Sequence, residues 1–322
     1  MNTKKIIFLL IFFNLTLLTF YFFYPSLINN INFLDILIFK HEYGDIGYYP
    51  LVLEYSKLNF SPTFFEYSNS NKLVSFPFFP ILIQSVLFKF FGNLSFVLSI
   101  YFFNTALLII LYFIFKKIFQ NNLKSLFAVI LILLITLILK FLTEIFDHFM
   151  IDNLFNTFDE NFGIRYPRPL LTSPLFFLGL YSLLDFRDKF HFNFQKNYVL
   201  SLILIAGLLL HSFFYYFVIF SLLILILILN DIDFNNFNFK KFKKNFFYFF
   251  LLIIFFLIPY IFQQVYTESD NLLRIGVIEP TYQKKIFLFK YFLSNLLRID
   301  FLLLIVLSIL FYFFSNKKYK GI

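Results

Sequence analysis

Residues 41–55 read HEYGDIGYYPLVLEY and set four ionisable side chains, His41, Glu42, Asp45 and Glu54, between two strongly apolar runs. A carboxylate in such a stretch can take a proton from an attacking hydroxyl if it lies within hydrogen-bond reach. Asp45 suits that role, because Gly44 and Gly47 flank it and let the backbone approach a ligand closely. Glu42 competes for the same role. A plainer reading, that these acids merely solvate a loop, stands beside the catalytic one.

A second constellation is NFGIRYPRPLLTSPLFFLGLY, with Arg165 and Arg168 just before an apolar run. Arginine presents a planar fork that matches phosphate oxygens, and Pro167 and Pro169 stiffen the segment that carries the two forks. Interfacial snorkelling is the competing explanation, in a chain that otherwise favours Lys. Arg274, in LLRIGVIEP, is a third candidate phosphate contact. The stretch TEIFDHFMID adds Glu144, Asp147, His148 and Asp152. On a continuous helix, Glu144, His148 and Asp152 share one face. They could hold a divalent cation, or simply mark an exposed helix end. No metal or cofactor is assigned. The four His show no HExxH spacing,, and the absence of Cys excludes disulfides and thiol chemistry,.

The elements that must position these residues are membrane helices. Of 322 residues, 60% are hydrophobic and 14% charged, with 58 Phe and 21 Tyr; a soluble domain carries about 25% charged residues. Long apolar stretches recur without the polar alternation of barrel strands. The expected fold is all-α, a polytopic integral membrane bundle of about eight spans with outward amphipathic helices. The spans are placed at 5–23, 93–115, 125–143, 169–185, 198–210, 213–229, 246–262 and 299–315. The first has Lys4 and Lys5 ahead of an apolar core, but YFFYPSL does not fit a small-residue cleavage site. It reads as a retained signal anchor.

Charge sets the orientation. One set of connections holds 15 basic residues and four acids, among them Lys116, Lys117, Lys124 and the KKFKK run at 240–244. The other set holds 14 acids and 12 bases. The first side is therefore cytoplasmic, both termini lie inside, and the acidic stretch around Asp45 faces outward from an inner (plasma) membrane. The overall +9 charge then reflects this asymmetry and calls for no nucleic acid. Glu54 and Lys57 are one helical turn apart and read as a surface pair. Residues 198–230 form a single apolar run, too long for one span at ~1.5 Å per residue across a ~30 Å core. A hairpin breaking near 210–212 satisfies the basic flanks; a single tilted helix does not.

Three outward segments carry the polarity: 24–92, 144–168 and 263–298. The first ends in FPFFPILIQSVLFKFFG, which reads as an interfacial amphipathic helix, as does KIFLFKYFLSNLLR at 285–298. The inside loop DIDFNNFNFKKFKKN reads as a topology determinant touching anionic lipid.

This order of features resembles the polytopic C-type glycosyltransferases (GT-C superfamily), including the protein-mannosyltransferase-like and aminoarabinose-transferase-like families. The resemblance rests on GDIGYYPLVLEY in the first outer loop, FPFFPILIQSVLFKFFG, a span opening on NLSF, and a hairpin broken in GLLLHSFFYY. It covers residues 1–230 as a membrane module, followed by the basic loop 231–245 and C-terminal helices over 246–322. The resemblance implies a sugar donor linked to polyprenyl phosphate and an envelope glycan, lipid or protein acceptor on the outer face. Asp45 or Glu42 would be the base, with Arg165, Arg168 and Arg274 on the leaving phosphate. His211 at the hairpin break would face the same cavity, and Tyr48 and Tyr49 would pack on the sugar. Two other readings remain: a polysaccharide polymerase or ligase of the envelope, which also uses outward Arg, and a transporter or structural membrane protein without chemistry.

Overall fold

The computed structural model describes residues 2–30, 32, 48–60, 77–145, 149–167, 169–189 and 196–230, with 247, 250, 254, 256–258, 260, 261 and 290. Among these residues the regular elements are all helices: α1 (Thr3–Asn29), α2 (Tyr49–Ser56), α3 (Phe78–Phe91), α4 (Leu94–Phe119), α5 (Asn122–Ile145), α6 (Phe149–Phe162), α7 (Thr172–Lys189), α8 (Lys196–Leu210) and α9 (Phe214–Asn230). The all-α class is as expected from unbroken runs of Leu, Ile and Phe.

Helices overlap the first six expected spans. Two are long and apolar enough to cross a bilayer: the Thr3–Phe20 part of α1 and the 26 residues of α4. The helices α8 and α9 have 15 and 17 residues, or about 22 and 26 Å at the ~1.5 Å rise of an α-helix. A turn at 211–213 separates them, which is where the sequence asked for a break. α1 runs past the expected end at residue 23 and through Pro25 to Asn29. A proline this close to a helix end removes one donor with few turns left to disrupt. α6 stands in the segment 144–168, expected to face outward, where the sequence suggested a helical face or helix end only around residues 144–152.

The chain forms two compact units. One contains residues 1–7, 111–163 and 269–322. In it α5 packs on α6, and the end of α4 is tied to both flanking segments. Lys116 Nζ donates to Thr3 Oγ1 at 2.7 Å, and the Tyr112 hydroxyl donates to Asn122 Oδ1 at 3.1 Å.

The other unit contains residues 8–110 and 164–268 and holds two apolar cores. In the first, Leu51, Val52 and Tyr55 of α2 bury against Ile81 of α3, Phe96 and Ile100 of α4, and Tyr166. Beneath them α3 is locked to α4 by polar groups. Buried Gln84 donates from Nε2 to Ser95 Oγ at 3.0 Å and accepts the Ser99 hydroxyl at Oε1 at 2.6 Å. Gly92 turns α3 into α4 at φ +53° and ψ −141°, a backbone region restricted to glycine. α1 is joined to α4 by a buried amide pair. Asn104 Nδ2 donates to Asn14 Oδ1 at 2.8 Å, and Asn14 Nδ2 donates to Thr105 Oγ1 at 2.9 Å.

The second core joins α7, α8 and α9 through Leu183, Leu202, Leu209, Tyr216 and Phe220. Gly179 admits the Phe220 ring, and Gly207 admits Phe256. Outside both cores the helices present large apolar side chains. On α1, Phe8 is 71% and Phe12 64% exposed, and on α4 Phe102 is 66% exposed.

Candidate functional site

Of the residues nominated above, Tyr48, Tyr49, Arg165 and His211 are described; Glu42, Asp45, Arg168 and Arg274 lie outside the described residues. The four that are described all belong to the unit of residues 8–110 and 164–268. The start of α3 joins three of their segments.

Pro50 stands in the first turn of α2, which its fixed φ suits. Tyr48, at the residue before α2, sets its ring edge-on to Tyr166 with centroids 6.1 Å apart. Tyr166 is 3% exposed, follows Arg165 directly, and precedes Pro167 through a cis peptide bond. Its hydroxyl points to the Pro80 carbonyl of α3 at 3.4 Å. One residue earlier, the Phe79 N–H donates to the His211 carbonyl at 3.1 Å. The first turn of α3 needs acceptors for its N–H groups, and the α8–α9 turn supplies one. The segments carrying Tyr48, Arg165 and His211 thus all meet Phe79–Pro80 or its neighbour Tyr166.

The individual side chains differ in what they do. Arg165 is exposed, and its carbonyl accepts the Leu170 N–H at 3.2 Å. His211 is half-buried, with its ring edge-on to Tyr260 at 5.9 Å. The Tyr49 ring is taken up by packing on Phe88 and Phe96, at 6.0 and 5.7 Å, and its hydroxyl donates to Asn93 Oδ1 at 3.0 Å. It therefore holds α2 on the α3–α4 corner. Ser173 and Tyr216 share a buried hydroxyl contact at 3.3 Å between α7 and α9.

Both carboxylate oxygens of Glu54 are taken up by neighbours. Lys57 Nζ reaches its Oε1 at 2.7 Å and Asn59 Nδ2 its Oε2 at 2.8 Å. The Lys57 hydrogen bond first, then that of Asn59, hold the carboxyl below the usual carboxylate range. The expected surface pair of Glu54 and Lys57 is formed. Glu144 and Asp152 fall on separate helices, because α5 ends at Ile145 and α6 begins at Phe149; His148 lies outside the described residues. Among the described residues no group of three metal-ligating side chains gathers.

Sequence reasoning missed Tyr166 and Gln84. Tyr166 had a signal, since an aromatic between Arg and Pro on an otherwise polar loop is a poor solvent-facing residue. Gln84 had one too, as the single amide in the apolar stretch of α3. No known protein family, curated protein or solved structure matches the chain.

Proposed function

We propose that the chain is a polytopic membrane glycosyltransferase of the GT-C type, with about eight spans, both termini cytoplasmic, and a sugar donor linked to polyprenyl phosphate on the outer face of the plasma membrane. Asp45, with Glu42 as the competing group, takes the proton of the acceptor hydroxyl. Arg165, Arg168 and Arg274 hold the leaving phosphate as its charge grows, and His211 contributes from the α8–α9 turn. Tyr48 packs near the donor sugar. Transfer breaks the anomeric C–O bond to phosphate and forms one to the acceptor oxygen; the proton goes to the carboxylate and the phosphate departs on its lipid.

The observation supporting this reading is the convergence at the start of α3. Three separate parts of the chain meet there: the Phe79 N–H donates to the His211 carbonyl, the Tyr166 hydroxyl beside Arg165 points to the Pro80 carbonyl, and Tyr48 packs edge-on to Tyr166. A chemistry needing a carboxylate loop, arginine forks and a polar helix break would draw on these three segments. Large exposed side chains such as Phe12 and Phe102 support the bilayer placement, since soluble surfaces rarely expose apolar groups in continuous bands.

The test uses membranes supplied with radiolabelled lipid-linked sugars. Asp45→Asn keeps size and removes the base, so turnover falls by about 10²–10⁴-fold, the usual worth of a positioned general base. Donor binding survives. A loss confined to Glu42→Gln would move the base to Glu42. Full activity in both variants would remove this loop from the chemistry.

A further inference from the structure

The unit of residues 1–7, 111–163 and 269–322 has a feature unrelated to the candidate site. Lys4 and Lys5 are separated from Lys116, Lys117 and Lys124 by more than a hundred residues, yet the fold gathers them. Thr3 accepts a hydrogen bond from Lys116, and Tyr112, one turn earlier on the same face of α4, bonds Asn122 at the start of α5. These two bonds bring the backbone that carries Lys4 and Lys5, next to Thr3, and Lys124, two residues after Asn122, to the end of α4 that carries Lys116 and Lys117. Segments 1–7 and 111–125 contain no acid. Lys4, Lys5 and Lys124 are exposed. The N-terminal ends of α1 and α5, which carry positive partial charge, lie at the same place.

An apolar track leads away from this cluster. Next to Lys124, Leu123 is 58% exposed, and along the same face of α5 follow Phe127 at 67% and Leu131 at 44%. These residues are spaced four apart, so they form one line on the helix. A free anion would use the lysines and leave this line unexplained. A molecule with an anionic head and an acyl tail uses both.

Resting on the membrane reading above, we infer that this end of the unit is a binding surface for an anionic phospholipid. The phosphate sits among Lys4, Lys5 and Lys124, and an acyl chain runs along Leu123, Phe127 and Leu131. Lys116, bonded to Thr3, frames the site.

The experiment is native mass spectrometry of the full chain in mild detergent with equal phosphatidylglycerol and phosphatidylcholine. Wild type retains phosphatidylglycerol in preference. Lys4→Gln/Lys5→Gln/Lys124→Gln loses that preference, by about fivefold or more for each lysine that acts near an anionic surface. Phe127→Asn weakens retention of both lipids, and the control Lys57→Gln/Lys89→Gln keeps the preference. Equal retention of the two lipids by wild type, an unchanged preference in the triple variant, or displacement of the lipid by glycerol phosphate alone would each overturn the inference. Alkaline carbonate extraction of native membranes separates the two readings. Release of the chain would refute its insertion, whereas an inserted chain without lipid preference would refute the lipid surface alone.

Discussion

Replacing Gln84 by Met keeps an unbranched side chain of similar volume in the buried site between α3 and α4, and deletes both polar ends. Two hydrogen bonds are lost, from Nε2 to Ser95 and from the Ser99 hydroxyl to Oε1. Each is worth about 0.5–1.5 kcal/mol net, and a buried group left without a partner costs about 1–3 kcal/mol more. Ser99 can turn its hydroxyl back to the carbonyl of Ser95 one turn earlier. Ser95, in the first turn of α4, has no carbonyl four residues back within that helix. The loss is therefore about 3 kcal/mol: two bonds at about 1 kcal/mol each, less the one Ser99 recovers, plus about 2 kcal/mol for the Ser95 hydroxyl left without its partner. It is read as a shift in the unfolding midpoint when SDS is titrated into mixed micelles. Ser99→Ala alone should cost about 1 kcal/mol, and the double variant less than the sum by a similar amount, because the two residues share one bond. Additivity within about 0.3 kcal/mol, or a Gln84→Met chain as stable as wild type, would refute the lock. Because α3 also carries Phe79, whose N–H meets the His211 carbonyl, activity at the proposed site should fall along with stability.

Arg168→Lys keeps the charge and loses the two-pronged fork, so donor use should fall well below that of an exposed Lys→Ala control; equal activity of Arg168→Lys, Arg168→Ala and wild type would reduce this arginine to an interface anchor. Gly92→Ala should destabilise by about 1–3 kcal/mol, the usual cost of a residue forced into a sparsely populated backbone region. No neighbour lies within 4 Å of the added methyl, so a cost near zero in the same SDS titration would contradict the described turn. Lowering the pH should break the Glu54–Lys57 pair. The depressed carboxyl contributes stability above its unfolded value of 4.5 and loses it as pH falls through the lower folded value. In NMR titration the Glu54 carboxyl should titrate at lower pH than in Lys57→Ala. Reporter fusions at Asn69 and Asn161 should read outside and those at Asn121, Asn193 and Asn236 inside; opposite sides for Asn193 and Asn236 would replace the 198–230 hairpin by one span.

What could be read from the sequence were features that a short window contains. The run 198–230 is too long for one crossing and carries His211 and Ser212 in its middle, so the α8–α9 turn could be located before any contact was known. The Glu54–Lys57 pair lies within one helical turn and was legible for the same reason. The boundary between the amphipathic stretch ending at residue 92 and the span opening at 93 fell at the α3–α4 corner. Pairings between distant segments were not legible. Nothing in a local window joins Asn14 to Asn104, Thr3 to Lys116, or Tyr48 to Tyr166, because each is set by how helices cross. Tyr49 illustrates the limit within the site: its type suggested a ligand platform, while its neighbours Phe88 and Phe96 draw it into the core.

The amide pair between α1 and α4 also imposes an order in time. Asn14 leaves the ribosome 90 residues before Asn104. At roughly 5–20 residues per second of synthesis, the first helix waits about 5–20 s for its partner. An asparagine at mid-helix is poorly tolerated among lipid tails until it is paired. Within the membrane reading, α1 therefore has reason to linger beside the insertion machinery until α4 emerges. The two would then leave together, so Asn14→Leu should release α1 into lipid early, with crosslinks to the translocation channel that fade sooner during synthesis.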